Sequence, residues 1–531
     1  MSEVTVEEKY RAISPAEFFY KYREIAGFSN PARALYQSIR ELVENALDAT
    51  DAHGILPDVK ITIKRVDEIQ EFYKITVEDN GIGIPPDVVP NAFGRVLFSS
   101  KYVLRQTRGM YGLGVKMAVL YGQMTTGRPV EVVTSRRGHR RIYYFKLRID
   151  VNRNEPVVVE KGSWSKTVDW HGTIVSLTIE GDWSRAKQKI KEYLFKTAVA
   201  VPYANIVALT PEDELIYYPR ITEVMPPPPV EVKPHPHGVD FEMLKHMVST
   251  GSYNTIKDLL IGEFQGIGEV TAERILSQVG IEPVRKPGEL SDGEILALVN
   301  TLKVLEGVKP PSARAISPLG KELIEASLKR VFQPEFVYAV SRRPQAYHGH
   351  PFAVEVGLAY GGGTPLSESD KPIILRYANK IPLLYDEGSD VATLVVKEDI
   401  DWGNYMISFP APLAVLVHVC STKVPFKGVG KESIADVPEV RREIKLSLME
   451  ALRELRKHLL KKAREEDLRR KAERIAKYIP EVVRSIASVI SSNDKSIESK
   501  LAEKLVVIVS KRTGIPAPEI LSVLETVEVG G

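Results

Sequence analysis

The apolar positions of the first two hundred residues switch between two periods. Residues 14–53 follow the helical one. Ser14-Pro15 and Asn30-Pro31 each set a side-chain acceptor ahead of a proline at the first helical position. In the second of these segments Leu35, Ile39, Leu42 and Ala46 recur at spacings of three and four. Gly54 predicts the stop. The period then changes to two: residues 59–66 and 72–77 predict paired strands. Residues 92–121 read as glycine-punctuated loop and helix, and 130–160 as strands rich in Val, Ile and Tyr. A further strand is expected at 171–179 and a helix at 183–199. Helices interleaved with hairpin-connected strands predict an α/β sandwich, one mixed sheet covered by helices.

Met225-Pro226-Pro227-Pro228-Pro229 and Lys233-Pro234-His235-Pro236-His237 read as a stiff, exposed linker. Residues 239–306 predict short helices, with Gly266-Ile267-Gly268 between two of them. A second mixed region begins near 307, with strand-like runs at 352–359, 373–377, 391–396 and 414–419. A long, charged amphipathic helix is expected over 437–478. Its apolar stripe is Ile444, Leu448, Leu452, Leu455 and Leu459, and Pro480 is expected to interrupt it before a helical tail. The fold class is α+β in four parts: 1–228, 229–306, 307–478 and 479–531. No internal repeat is visible.

Composition narrows the classes without choosing one. With 531 residues, 44% hydrophobic and 27% charged, the chain has enough apolar material for several cores. A net charge of +3 neither demands nor excludes a nucleic-acid partner. Cys420 is the sole cysteine, which excludes an intramolecular disulfide and a cysteine zinc site and fits a reducing cytoplasm. No run reaches the ~18 apolar residues of a membrane span, and the polar start is not a signal peptide.

Three clusters carry candidate chemistry. Glu41 and Asn45 lie four apart on one helix face. A carboxylate there can orient or deprotonate water, and a neutral amide oxygen suits magnesium. Glu44 and Asp48 compete with Glu41 as the base. Asp79, at a strand end before Gly81 and Gly83, can accept a hydrogen bond from an exocyclic amine, and the glycines permit close backbone approach. The run Gly109-Met110-Tyr111-Gly112-Leu113-Gly114-Val115-Lys116 leads into a helix, whose starting amides bind anions. Ser99, Ser100 and Lys101 lie just upstream, and Thr173 offers a further hydroxyl. Taken singly, each feature also has a purely structural explanation.

In this order and spacing they resemble the GHKL ATPases, the superfamily of gyrase B, the mismatch-repair clamps, the heat-shock chaperones and the histidine kinases. Glu41 to Asn45 matches the N box, Asp79-x-Gly81-x-Gly83 the first glycine box and Gly109–Lys116 the second. The resemblance implies a Bergerat-type ATP site. Glu41 would be its general base, Asn45 its magnesium ligand, Asp79 and Thr173 its adenine readers and residues 109–116 its lid. Residues beyond 306 resemble a transducer domain, which sends one lysine to the terminal phosphate. Lys423, Lys427 and Lys431 compete for that role. Lys431 fits the gyrase pattern best and Lys427 second.

The run from Glu263 to Ala272 resembles a helix–two-turn–helix module. With Asn30–Leu35, Gly94–Lys101 and Arg108–Gly114 it is similar to the B subunits of archaeal type IIB topoisomerases, over about residues 5 to 480. That family implies ATP and magnesium as cofactors, an A₂B₂ assembly with the cleaving A subunit, and dimerisation of B chains on ATP binding. It also implies capture of double-stranded DNA, and an N-terminal strap before Ser14 that crosses to the other protomer. Lys329, Arg330, Arg342, Arg343, Arg285 and Lys286 are candidate phosphate contacts. A protein-directed chaperone clamp, a repair adaptor without strand passage and a non-catalytic DNA scaffold are the competing classes.

Overall fold

The computed structural model describes residues 11–67, 69–109, 112–367, 370–490 and 495–528. Most of the segment before Ser14, read as a strap, lies outside them. The described residues form two compact units. One runs to Ile400 and resumes over Phe409–Ala451; the other comprises Asp401–Ser408 and the chain from Leu452 onward.

The first unit opens with α1 (Pro15–Lys21) and α2 (Pro31–Asp51), both started as the sequence predicts: Ser14 accepts from Glu17 N and Asn30 from Arg33 N. Next come β1 (Asp58–Asp67), β2 (Phe72–Asp79), α3 (Val89–Gly94), α4 (Gly114–Thr126), β3 (Val130–Ser135), β4 (Arg141–Asp150), β5 (Glu155–Ser165), β6 (Gly172–Glu180), α5 (Trp183–Ala200), β7 (Asn205–Leu209) and β8 (Leu215–Tyr218). The strands make one eight-stranded sheet in the order β5-β4-β3-β6-β2-β1-β7-β8. Its neighbours run antiparallel except β1 and β7. Helices α2, α4 and α5 pack together over β2 and β6.

Four helices follow, α6 (Phe241–Thr250), α7 (Ile256–Glu263), α8 (Glu269–Val279) and α9 (Asp292–Lys303), around a core of their own that includes Leu244, Leu260, Ile275 and Leu298. Beyond them lie α10 (Lys321–Phe332), β9 (Phe336–Ser341), β10 (Gln345–Tyr347), β11 (His350–Tyr360), β12 (Ile373–Ala378), β13 (Ile381–Pro382), α11 (Val391–Leu394) and β14 (Leu413–Ser421). Their sheet runs β10-β11-β14-β12-β13, with β9 also on β11. The apolar core under the eight-stranded sheet continues without a break into α10, β12 and β14 through Leu323, Leu328, Leu375 and Leu416.

Three expectations fail for physical reasons. Residues 391–396 are helical, not a strand: Asp390 accepts from Ala392 N at 3.0 Å and starts a helical turn. The run is largely buried, so it carries no period to betray its conformation. The proline-rich segment is anchored to its neighbours rather than a free linker, though Pro227, Pro228, Glu231 and Lys233 are exposed as expected. Val230 N donates to Arg314 O at 2.8 Å, Val232 N to Leu104 O at 3.1 Å, and His235 is buried against Lys309 O. Pro480 does not end the long helix, for α12 runs Pro438–Val489.

In the second unit, α13 (Lys495–Thr513) and α14 (Ala517–Glu528) follow α12. Ala476, Ile479 and Val483 flank Pro480 and are buried in a cluster with Val506, Val509, Ile520 and Leu524. That packing holds the helix through the hydrogen bond which proline cannot make. Pro480→Ala should therefore stabilise this unit by about 1–3 kcal/mol. Thermal unfolding, with amide exchange over 476–484, measures the gain.

Candidate functional site

Charged residues normally face water on an amphipathic helix, but on α2 they are buried. Arg40 and Glu44 are each 2% exposed and Glu41 7%. The acids Glu41, Glu44, Asp48 and Asp51 recur at spacings of three and four, so they form one stripe. Glu41, Asn45, Asp48 and Asp51 face a cavity of about 620 Å³.

At one end of the cavity sits Asp79, the last residue of β2. Its Oδ1 accepts from Gly81 N at 2.8 Å and Thr173 N at 3.2 Å, the latter from the paired start of β6. Thr134 and Thr173 place their hydroxyls 3.2 Å apart beside it. Gly83 has φ +73°, and a Cβ there would lie 2.1 Å from Ser135 O, so only glycine fits this close approach. Burial pushes the Asp79 carboxyl up to about 7 against two amide donors that favour its ionised form. A donor from a ligand amine would satisfy that charge.

The middle of the cavity is basic. Helix α4 starts at Gly114, and its N-cap residue Leu113 supplies no side-chain acceptor, so its first amides are left for an anion. Gly109, Gly112, Leu113, Gly114, Val115 and Lys116 all line the cavity, as do Ser99, Ser100 and Lys101. Met110 and Tyr111 lie outside the described residues. Gly81 contributes through its amide on Asp79 rather than by lining the space. Lys116 donates to Phe98 O at 2.9 Å; burial and the nearby Lys101 lower its ammonium to about 8.

Glu41 Oε1 accepts from Gln37 Nε2 at 2.8 Å. A Cβ on Gly114 would come within 1.7 Å of Glu41 Oε2, so a glycine at the start of α4 lets the carboxylate lie against the helix. Asn45 Oδ1 and Asp48 Oδ2 converge on one cation, the Lys101 ammonium, at 2.8 and 2.6 Å. Two hard oxygens around a cation position suit magnesium. Lys101 and Arg108 hold Asp48 at about 2, outweighing the effect of burial.

One cavity residue comes from far along the chain. The segment after β14 folds back, with Phe426 bridged to Ile434, and at its tip Lys431 is buried. Its Nζ lies 3.1 Å from Glu44 Oε2 and 4.0 Å from Glu41 Oε1, and donates to Arg108 O at 3.1 Å. Burial disfavours both charges, yet each is kept: Glu41 and Glu44 lift Lys431 above its ordinary range, while Lys431 and Arg40 hold Glu44 below its own. Arg40 donates to Gly430 O and Lys431 O, and Arg33 pairs with Glu432, so α2 grips this tip. Lys423 and Lys427 are exposed and do not line the cavity. Glu44, engaged by both Arg40 and Lys431, is less suited to bind water than Glu41.

Gln37, Arg40, Asp51, Arg108, Asn379 and Lys380 also belong to this constellation, and the sequence reading did not select them. The i,i+4 pair Arg40–Glu44 was the signal within reach; nothing local marked 379–380. Among the candidate phosphate contacts, Arg342 pairs with Glu443 and Glu450, Arg285 with Glu294, and Arg330 donates to Pro219 O. All three side chains are at least partly open to solvent and have an intramolecular partner.

Asp79 generates a pH prediction. Its folded value of about 7 exceeds the ordinary 3.8, so between these limits the folded state binds more protons than the unfolded one. The contribution to stability should fall as pH rises through that window, and Asp79→Asn should flatten the slope. Denaturant unfolding of the ligand-free chain from pH 4 to 8 measures it.

Family models match two stretches of the chain. Residues 30–152 match the histidine kinase-, DNA gyrase B- and HSP90-like ATPases, and 311–471 match the topoisomerase VI B subunit transducer. The chain is 55% identical over 507 residues to the B subunit of a type 2 DNA topoisomerase 6 from Sulfurisphaera tokodaii, covering 94% of this chain and 95% of the relative. The protein of that name in Saccharolobus islandicus is 52% identical over 515 residues, covering 96% and 97%. That in Metallosphaera sedula is 53% identical over 504, covering 94% of each. A nucleotide-binding ATPase domain is thus joined to a topoisomerase VI transducer in one chain, which belongs to the family of B subunits of the type 2 DNA topoisomerases 6.

Proposed function

We propose that the chain couples ATP hydrolysis to DNA passage as the B subunit of an A₂B₂ topoisomerase, acting in the cytoplasm. The single observation that carries this reading is Lys431, delivered from the transducer to within 4.0 Å of Glu41. Glu41 acts as the general base towards water. Asp79 takes a hydrogen bond from the adenine amine, with Thr173 beside it. Residues 109–116 close over the phosphates, with Ser99, Ser100, Lys101 and Lys116 contributing hydroxyls and charge. Magnesium, when bound, neutralises charge on the phosphate oxygens, and Asn45 is the residue that would hold it.

Lys431 serves as the phosphate sensor. Its ammonium is shared by Glu44 and Arg108 O; a terminal phosphate is a stronger anionic partner in the same cavity. Its move would shift the tip that carries it, and with that tip the transducer. ATP binding then favours pairing of two B chains around a duplex, which passes through a break made by the A subunit. The four functional parts, 1–228, 229–306, 307–478 and 479–531, correspond to nucleotide binding, a helix–two-turn–helix element, transduction and a helical tail.

Glu41→Ala should bind ATP near normally while turnover falls by about 10²–10⁴-fold; loss of binding as well would remove Glu41 from the role of base. Lys431→Ala should lower turnover by roughly 10²–10³-fold, whereas Lys427→Ala should leave it unchanged. With the A subunit and ATP, the wild-type chain should relax supercoiled plasmid. An ATPase active without relaxation would favour a DNA clamp lacking strand passage.

A further inference from the structure

A second buried lysine reaches α2 from the transducer side. β12 and β13 are joined by Asn379 and Lys380 alone, both with left-handed backbone, φ 49° and 65°. Turns of this kind are ordinarily filled by Asn-Gly, because glycine accepts positive φ without steric cost. Here a lysine takes the second position and is 4% exposed. A cation that is both strained and buried persists where its surroundings over-determine it. The turn is braced from behind: Lys380 N donates to His418 Nε2 at 3.0 Å, and His418 Nδ1 donates to the buried Glu355 at 2.8 Å.

The ammonium donates to Asp51 Oδ2 at 3.3 Å, Tyr203 Oη at 3.1 Å and Ser317 Oγ at 3.4 Å. Asp51 Oδ2 also accepts from Arg108 at 2.8 Å, and Arg108 reaches Asp48 Oδ1 at 3.2 Å. Asp48 in turn holds Lys101, which sits on Asn45. An unbroken series of alternating charges thus runs from the turn to the candidate metal ligand.

The segment leading into the lid is held residue by residue. Gln106 pairs with the backbone of Ala315 and Ser317, Thr107 O accepts from Asn379 at 3.0 Å, and Arg108 O accepts from Lys431 at 3.1 Å. Lys380 repeats the features of Lys431: left-handed backbone, burial, and a carboxylate of α2 as partner.

We propose that Lys380 is a positioning residue for ATP turnover, fixing Asp51 and through it Arg108, so that the root of the lid moves with the transducer when nucleotide binds. The inference rests on the ATPase reading given above. Lys380 acts through its neighbours and is assigned no contact with phosphate.

The test uses the full chain carrying Lys380→Met. Affinity for a non-hydrolysable ATP analogue, kcat and KM for ATP, and tryptic cleavage within 101–108 are measured with and without the analogue. The expected result is affinity within threefold of wild type, a fall of at least tenfold in kcat with KM little changed, and loss of the analogue's protection of 101–108. Lys380→Arg should recover most of the kcat. Wild-type kcat and protection in Lys380→Met would overturn the proposal, as would parallel losses of affinity and kcat with protection intact. If the single variant does not fold, the charge-neutral pair Lys380→Met with Asp51→Asn enters the same assays. Lost protection there supports the proposal and wild-type protection refutes it. A wild-type chain unable to bind or hydrolyse ATP would remove the ATPase reading itself, and this inference with it.

Discussion

The ion pair between Lys431 and Glu44 joins residues 387 positions apart at 3.1 Å, in a setting with almost no access to water. Removing Glu44 would leave the buried Lys431 and Arg40 without their nearest carboxylate, at a cost of about 3–5 kcal/mol. The buried Lys431 charge is therefore compensated only while the transducer tip and α2 stay together, or while another anion takes the place of Glu44. That alternative makes a structural contact usable as a nucleotide sensor. Arg40 on Gly430 O and Lys431 O, and Arg33 on Glu432, keep the tip aligned for the exchange.

The rest of the unit converts that local choice into a larger one. The apolar core runs from α2 and the eight-stranded sheet into α10, β12 and β14, so the nucleotide-binding half and the transducer half share packing. Close-packed interiors transmit displacement because they deform little. The polar contacts fall on the same seam: Gln106, Thr107 and Arg108 each have a partner from the transducer side. Residues 106–108 and the transducer are thereby parts of one hydrogen-bonded network.

Much of the candidate site was legible because its chemistry is local. Asp79, Gly81 and Gly83 share one turn, the glycine run precedes one helix, and Glu41 and Asn45 share one helix face; spacing alone makes these groups neighbours. Ser14 and Asn30 announced α1 and α2 by side-chain acceptors that the structure uses as such. The misses have another character. Residues 391–396 lacked a period because burial surrounds them, and the anchoring of the proline-rich segment was hidden because its partners, Leu104, Lys309 and Arg314, are distant in sequence. Pro480 reads as a helix end when the cluster around Ala476 and Val483 is unknown. Arg108 and Lys380 owe their places to tertiary contacts with α2, and Asn379 to contacts with Thr107 and Ser421, none of which a local pattern encodes. Arg285 and Arg342 have carboxylate partners, Glu294 and Glu443, that lie outside any local pattern.

The most direct measurement is a structure of the full chain with magnesium and a non-hydrolysable ATP analogue. The expected result is that Lys431 Nζ leaves Glu44 Oε2 and Arg108 O for the terminal phosphate. The adenine amine should lie on Asp79, and the lid segment around Gly112 should close over the phosphates. An analogue bound in the same cavity with Lys431 still on Glu44 would contradict the sensing role on which the coupling of hydrolysis to the transducer depends.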